Sequence, residues 1–301
     1  MMFAEAERRL RAKVRHALPK LDKMKKEESD SETETYSEDS SSEDEKESKN
    51  YPLNFGLVPT KSIHPQVAAL LRRERYTFEA DATQKLRSMC VTASDLGTIV
   101  HHTSLRGSNP FVSETLLLRK KLGLFPKTSN QAMLHGLYYE LEALKTYERI
   151  TGNVLVEEEV GFIKDASGKA YGATPDSVCK FLPILVETKC PYIRRPLPDK
   201  INDNHYAQLQ WQMGITNIHL AHIVYFYPNT PDYSGQMKVF AVRFNPKWFK
   251  LARVHADKFL HQLIGMKTGS IPVPEIPSKK RKKLRAVPAF FEIPKKIKSS
   301  T

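Results

Sequence analysis

The chain predicts an α/β fold, a central mixed β-sheet flanked by helices, and three observations carry that prediction. A helical pattern over residues 131–150 gives way to short apolar runs at 154–163, 170–179 and 184–189. A second helical stretch at 203–214 leads into two further apolar runs, 219–227 and 237–244. A last helical stretch, 248–264, closes the pattern.

Taken in order, residues 63–88 read as a helix, with Val67, Leu70, Leu71 and Phe78 apolar among many arginines. Thr92 with Asp95 three residues on resembles a capping box and opens another helix. In 131–150, Leu134, Leu137, Leu141 and Leu144 repeat at helical spacing and form the expected core stripe, and Gly152 follows as a stop. The strand runs are separated by the Asp165-Ala-Ser-Gly168 and Phe181-Leu-Pro183 turns. Gly214 is expected to end the helix begun at 203. Pro228, Pro231 and Gly235 lie in the turn between the last two strands.

Composition limits function. The chain has 301 residues and a net charge of +13, and a protein this basic meets phosphate, as nucleic acid or an anionic membrane surface. No apolar run approaches the ~18 residues of a membrane span, which excludes an integral membrane protein. Three cysteines, none in a CxxC, exclude a zinc finger and a disulfide-stapled scaffold and favour a reducing compartment. Cys179 and Cys190 are expected to pack on strands.

The charge divides the chain into three parts. Residues 1–60 form an N-terminal region, first basic (Arg8, Arg9, Arg11, Lys13, Arg15), then acidic and Ser-rich. Its stretch 27–48 holds eleven acids, seven serines and one lysine, too polar to offset its ordering entropy, so it is expected to be disordered. It reads as a solvating tail, or as a DNA-mimicking or phosphorylated regulator. Residues 61–270 form the folded domain. Residues 271–301 form a tail rich in proline and lysine, with Lys279, Lys280, Arg281, Lys282 and Lys283 forming a compact run that reads as a nuclear address. A mitochondrial address is the alternative, weakened by Glu5 and Glu7 in the basic N-terminus.

The chemistry is concentrated in two short stretches, Gly172-Ala-Thr-Pro175-Asp176 and Ile184-Leu-Val-Glu187-Thr188-Lys189-Cys-Pro191. Strand alternation puts Glu187 and Lys189 on one face and Thr188 on the other, and a hairpin brings Asp176 beside them. Two carboxylates and a lysine on a buried sheet are costly unless something pairs them. A hard divalent cation does so: Mg²⁺, with Mn²⁺ as a substitute, takes Asp176, Glu187 and the Thr188 backbone carbonyl, with waters and a phosphate oxygen. Lys189 then orients or helps deprotonate a water. On spacing alone the same residues also read as an ordinary Glu–Lys pair on a hairpin.

Pro175-Asp176…Glu187-Thr188-Lys189 resembles the core of the PD-(D/E)XK nucleases, and the wider pattern resembles their YqaJ-type viral recombinase, lambda-exonuclease-like branch. Leu134-His-Gly136-Leu-Tyr-Tyr-Glu140, Gly172-Ala-Thr-Pro-Asp176, Tyr206-Ala-Gln208-Leu-Gln210 followed by Gly214 and Thr216, and Thr92-Ala-Ser94-Asp95 with Arg87 before it match that branch's motifs in order, over about residues 85–230. The resemblance implies a restriction-endonuclease-like core and a Mg²⁺-dependent 5′→3′ exonuclease acting on double-stranded DNA ends in recombination or repair. It makes Glu140 a third acid, touching metal through water, places Gln208 near the attacked phosphate, and gives Arg87 and Ser94 a terminal 5′ phosphate. Read without it, Glu140 is a helix-surface acid, Gln208 and Gln212 a polar helix face, and Ser94 a cap. Kinship also implies a homo-oligomer, a trimer, and a single-strand annealing protein as partner. An endonuclease on the same core and a non-catalytic DNA-binding scaffold are the alternatives.

Overall fold

The computed structural model describes residues 57–77, 81–107, 112–125, 131–193, 196–230 and 234–275. The acidic segment 27–48, the basic N-terminus and the run Lys279–Lys283 lie outside the described residues. Among the described residues no helix is long and apolar enough to cross a membrane.

The elements follow the chain as α1 (Pro65–Leu71), β1 (Arg75–Tyr76), α2 (Asp81–Met89), β2 (Val91–Thr92), a 3₁₀ turn (Ala93–Asp95) and α3 (Leu96–Ile99). Next come α4 (Glu114–Lys121), α5 (Gln131–Thr151), β3 (Phe162–Lys164), β4 (Tyr171–Ala173), β5 (Ser177–Val178) and β6 (Leu185–Lys189). The fold closes with α6 (Asp203–Thr216), β7 (Leu220–Tyr227), β8 (Gln236–Arg243) and α7 (Pro246–Thr268). The strands form two mixed four-stranded sheets, ordered β1-β3-β4-β2 and β5-β6-β7-β8, with helices against them. This is the expected mixed α/β architecture, with the strands shared between two sheets.

The division between the sheets falls at Thr174-Pro175-Asp176. Proline has no N–H for a ladder, so the single strand expected over 170–179 is two, β4 and β5, with the Pro-Asp step between them. The helix expected over 63–88 is instead three elements, α1, β1 and α2. Arg73 donates to the carbonyls of Ile215 and Lys164, Arg75 reaches the Glu159 carbonyl and the Glu158 carboxylate, and Arg75–Tyr76 pair antiparallel with Phe162–Ile163. These long-range bonds override a local helical pattern.

Helix α5 has the expected length, but its buried face is His135, Tyr139, Ala143 and Tyr147 together with Leu134. Leu137, Leu141 and Leu144 are only half-buried. Small and aromatic residues at i, i+4 spacing form the packed face, and His135 on it is buried and bonds the Cys190 carbonyl at 3.1 Å. In α6, Gly214 does not end the helix. A Cβ there would lie 2.2 Å from the Phe249 ring, so glycine permits α7 to approach, and Asn217 in the left-handed region (φ 60°) makes the stop.

The unit that positions the chemistry is β6–α6–β7. Strands β6 and β7 are parallel, and β7 is buried along all eight residues. Leu185, Ala221, Ile223 and Tyr225 belong to the large core shared with α6 and α7, whereas Val186, Leu220 and Val224 pack with Tyr147 of α5 on the other face. Glu187 therefore faces α6.

Candidate active site

Strand β5 pairs antiparallel with β6 in the register Ser177↔Val186. Asp176, one residue before β5, thus draws level with the end of β6. There its Oδ2 accepts from the Thr188 backbone N–H (2.7 Å) and from Thr188 Oγ1 (2.8 Å). The N–H and C=O of one residue in an extended strand point to the same edge, so the Thr188 carbonyl lies on the Asp176 side.

Glu187 is 3% exposed and receives three donors. Lys189 Nζ (2.7 Å) and Gln208 Nε2 (2.5 Å) meet Oε1, and Gln212 Nε2 (2.7 Å) meets Oε2. Lys189 Nζ also donates to Gln208 Oε1 at 3.1 Å. Burial works against the Lys189 charge, but Glu187 and Asp176 outweigh it and raise its pKa above the ordinary lysine value. Lys189 is therefore an ammonium that donates. The Asp176 carboxyl is pushed well above the ordinary range, first by burial, then by the charges of Glu187 and Glu140.

These groups open onto a cavity of about 220 Å³. Arg87, Ser94, Glu140, Asp176, Glu187 and Gln208, six of the residues singled out in the sequence, all line it, and Lys189 reaches it through Glu187 and Gln208. Arg87 donates to Thr174 Oγ1 and lies 5.5 Å from the centre of the Phe162 ring. Burial lowers its pKa, yet a guanidinium stays charged in a protein. Ser94 Oγ lies 3.2 Å from Thr92 Oγ1.

The segment holding Ser94 is not the regular helix expected from residue 92 but the 3₁₀ turn followed by the four-residue α3. The expected cap is present: the Thr92 N–H and hydroxyl both donate to Asp95 Oδ2 at 2.7 Å. Lys121 pairs with the buried Asp95 at 2.6 Å and donates to the carbonyls of Arg87 and Cys90, which ties the end of α2 to the turn. Sequence reasoning missed Lys121, which ends a basic run of ordinary surface character. It also missed Glu159 on the cavity wall, where Thr92 and Thr174, read only as parts of motifs, lie as well. It noted Gln212 only as a helix-face neighbour of Gln208. The three cysteines are free and buried, as packing residues are.

The donor set suits a hard divalent ion. Asp176 and Glu187 offer carboxylate oxygens, the Thr188 carbonyl lies on the same edge, and Asp176 is held in a state that an added cation would relieve. Among the described residues no three His, Cys, Asp or Glu side chains are grouped closely enough to hold an ion. Two carboxylates and a backbone carbonyl are a composition that Mg²⁺ would accept with waters and phosphate. Glu140 lines the same cavity, and its charge helps raise the Asp176 pKa.

Residues 83–219 match the family model of the YqaJ-like viral recombinase domain, the family whose motifs the sequence resembles. No curated protein matches the chain. Among solved structures, an alkaline exonuclease (LHK-Exo) from Laribacter hongkongensis matches at 22% identity and a TM-score of 0.49, covering 64% of this chain and 98% of its own. LHK-Exo in complex with dAMP matches at the same identity and TM-score, with 99% of its own chain covered. A phage-related exonuclease from Haemophilus somnus matches at 15% identity and a TM-score of 0.46, covering 59% of this chain and 96% of its own.

Proposed function

We propose that the protein is a Mg²⁺-dependent deoxyribonuclease that degrades double-stranded DNA 5′→3′ from its ends. One observation carries the reading: Asp176, Glu187, Gln208 and Glu140 share a single cavity with Arg87 and Ser94. The family match over residues 83–219 supports a nuclease.

In this reading Asp176, Glu187 and the Thr188 carbonyl hold Mg²⁺, or Mn²⁺ in its place, with Glu140 acting through water. An ion held there would lower the pKa of a water to near neutral and offset charge on the phosphate. Lys189, held by Glu187 and Gln208, orients or helps deprotonate the attacking water and offsets the charge that builds on phosphorus. Gln208 spans Glu187 and Lys189 and keeps the ammonium aimed at the cavity. The Arg87 fork and the Ser94 hydroxyl take a terminal 5′ phosphate, so the scissile bond is counted from the end of the strand.

Residues 61–270 are the catalytic domain, between the acidic N-terminal region and the basic tail. The same reading carries a nuclear address at Lys279–Lys283, a homotrimer, a single-strand annealing partner, and a role in recombination or repair.

The test is a time course on linear duplexes labelled at the 5′ or the 3′ end, with and without a 5′ phosphate. The expected result is Mg²⁺-dependent release of 5′ label first, faster from phosphorylated ends. Equal cutting of linear and closed-circular duplex would replace the exonuclease with an endonuclease.

A further inference from the structure

Helix α6 carries three glutamines at alternate positions, and the structure treats each differently. Gln208 is half-buried on the cavity wall. Gln210 is fully buried and satisfied at both ends: its Nε2 donates to the Arg243 carbonyl (2.8 Å), and its Oε1 accepts from the Asn245 N–H (2.7 Å). Gln210 is accounted for by packing alone.

Gln212 is equally buried, between Trp211 and Met213 in the core, where an apolar side chain would be expected. Its Nε2 donates to Glu187 Oε2 at 2.7 Å and lies 3.4 Å from the Thr174 carbonyl. Both neighbours are acceptors, so the amide cannot be turned round without setting oxygen against oxygen. Its Oε1 has no hydrogen-bond partner among the described residues. A buried polar atom left unpaired is unfavourable, and packing gives no return for it here. Among the described residues the short bond of the Gln212 side chain is the one to Glu187.

We infer that Gln212 is a positioning residue that sets the plane of the Glu187 carboxylate for a divalent ion. Gln208 and Lys189 load Oε1, and among the described residues Gln212 is the donor to Oε2. Without Gln212 the carboxylate pivots about Oε1, and its second oxygen loses its fixed direction. Gln212 also spans from Glu187 toward the Thr174-Pro-Asp176 step, so it fixes the separation of the two carboxylates as well as the orientation of one. The inference rests on the proposed metal-dependent reading of this site.

The test is Mn²⁺ affinity, read from the electron paramagnetic resonance of free Mn²⁺ on full-length protein, together with kcat and KM on duplex DNA in Mg²⁺. Gln212→Met keeps the shape and removes the donor. The expected result is about tenfold weaker Mn²⁺ binding and about tenfold lower kcat, with KM for DNA unchanged, as for loss of a partner that orients a metal-bound carboxylate. Gln212→Asn, whose amide is one methylene short of Glu187, gives the same pattern should Gln212→Met fold poorly. Gln210→Met lowers Tm while leaving Mn²⁺ affinity at the wild-type value. Unchanged affinity and kcat in both Gln212 variants would overturn the inference, as would an equal loss of affinity in Gln210→Met. Wild-type Mn²⁺ affinity no better than that of Glu187→Gln would overturn the metal-dependent reading itself.

Discussion

Two buried polar clusters sit back to back across β6 and β7, and they are built on opposite terms. On the α5 face, Tyr147 Oη lies 2.7 Å from His222 Nδ1, accepts from Asn153 Nδ2 at 2.9 Å, and lies 3.6 Å from Cys179 Sγ. Burial pushes the Tyr147 hydroxyl pKa far up, and Leu155, Val186 and Val224 pack around it. On the α6 face one residue along, Glu187 and Lys189 form an ion pair, Asp176 is driven toward its protonated form, and the Gln212 Oε1 has no partner among the described residues. The first cluster lies among core side chains, whereas the charged one opens onto a cavity. Free energy left unrecovered beside an opening marks the face that meets a ligand.

The contrast can be broken most forcefully at the charged face. Glu187→Gln and Lys189→Met should each lower kcat on duplex DNA on the order of 10²–10³-fold. DNA binding in Lys189→Met, followed by fluorescence anisotropy, should remain; equal loss of binding and turnover would contradict its role.

Acid should weaken the same face. His205 bonds Tyr225 Oη at 2.8 Å, and burial, with help from the Lys189 charge, holds its pKa down at about 3 against an ordinary 6.5. Between those values the unfolded chain binds the proton and the native protein does not, so stability falls as pH drops below 6.5. His205→Gln should remove up to about 3 kcal/mol of that loss by pH 4, read as the difference between the two unfolding curves across pH. Parallel curves would contradict the buried, neutral imidazole.

Smaller effects separate end recognition from packing. Arg87→Ala should reduce the preference for 5′-phosphorylated over 5′-hydroxyl ends about 10- to 100-fold, the worth of a charge-assisted hydrogen bond or two. An unchanged preference would remove Arg87 from the phosphate site. Tyr147→Phe should cost about 1–3 kcal/mol in denaturant unfolding and leave kcat unchanged, because it strips a bond from the first cluster only. A matching fall in kcat would erase the distinction between the faces.

Much of this was legible in the sequence. Asp176, Glu187 and Lys189 are readable because a Pro-Asp step and an apolar strand ending in Glu-x-Lys have a fixed geometry, with alternation setting the face. Glu140, Gln208, Arg87 and Ser94 were reached through motif resemblance, and all four line the cavity. Partners separated by long loops were not legible. Lys121 is an ordinary basic residue until Asp95 is folded beneath it, and Glu159 lies in a stretch expected to be strand. The α5 stripe was misjudged because leucine spacing was weighed above close packing by Ala143 and the aromatics. Gln212 was passed over because one polar residue on a helix does not reveal that both its neighbours are core.

The most direct measurement is the anomalous diffraction of a crystal soaked in Mn²⁺. A single ion bound by Asp176 and Glu187, with the Thr188 carbonyl completing the protein ligands, is the predicted result. An ion bound elsewhere, with Asp176 and Glu187 sharing none at saturating Mn²⁺, would contradict the account.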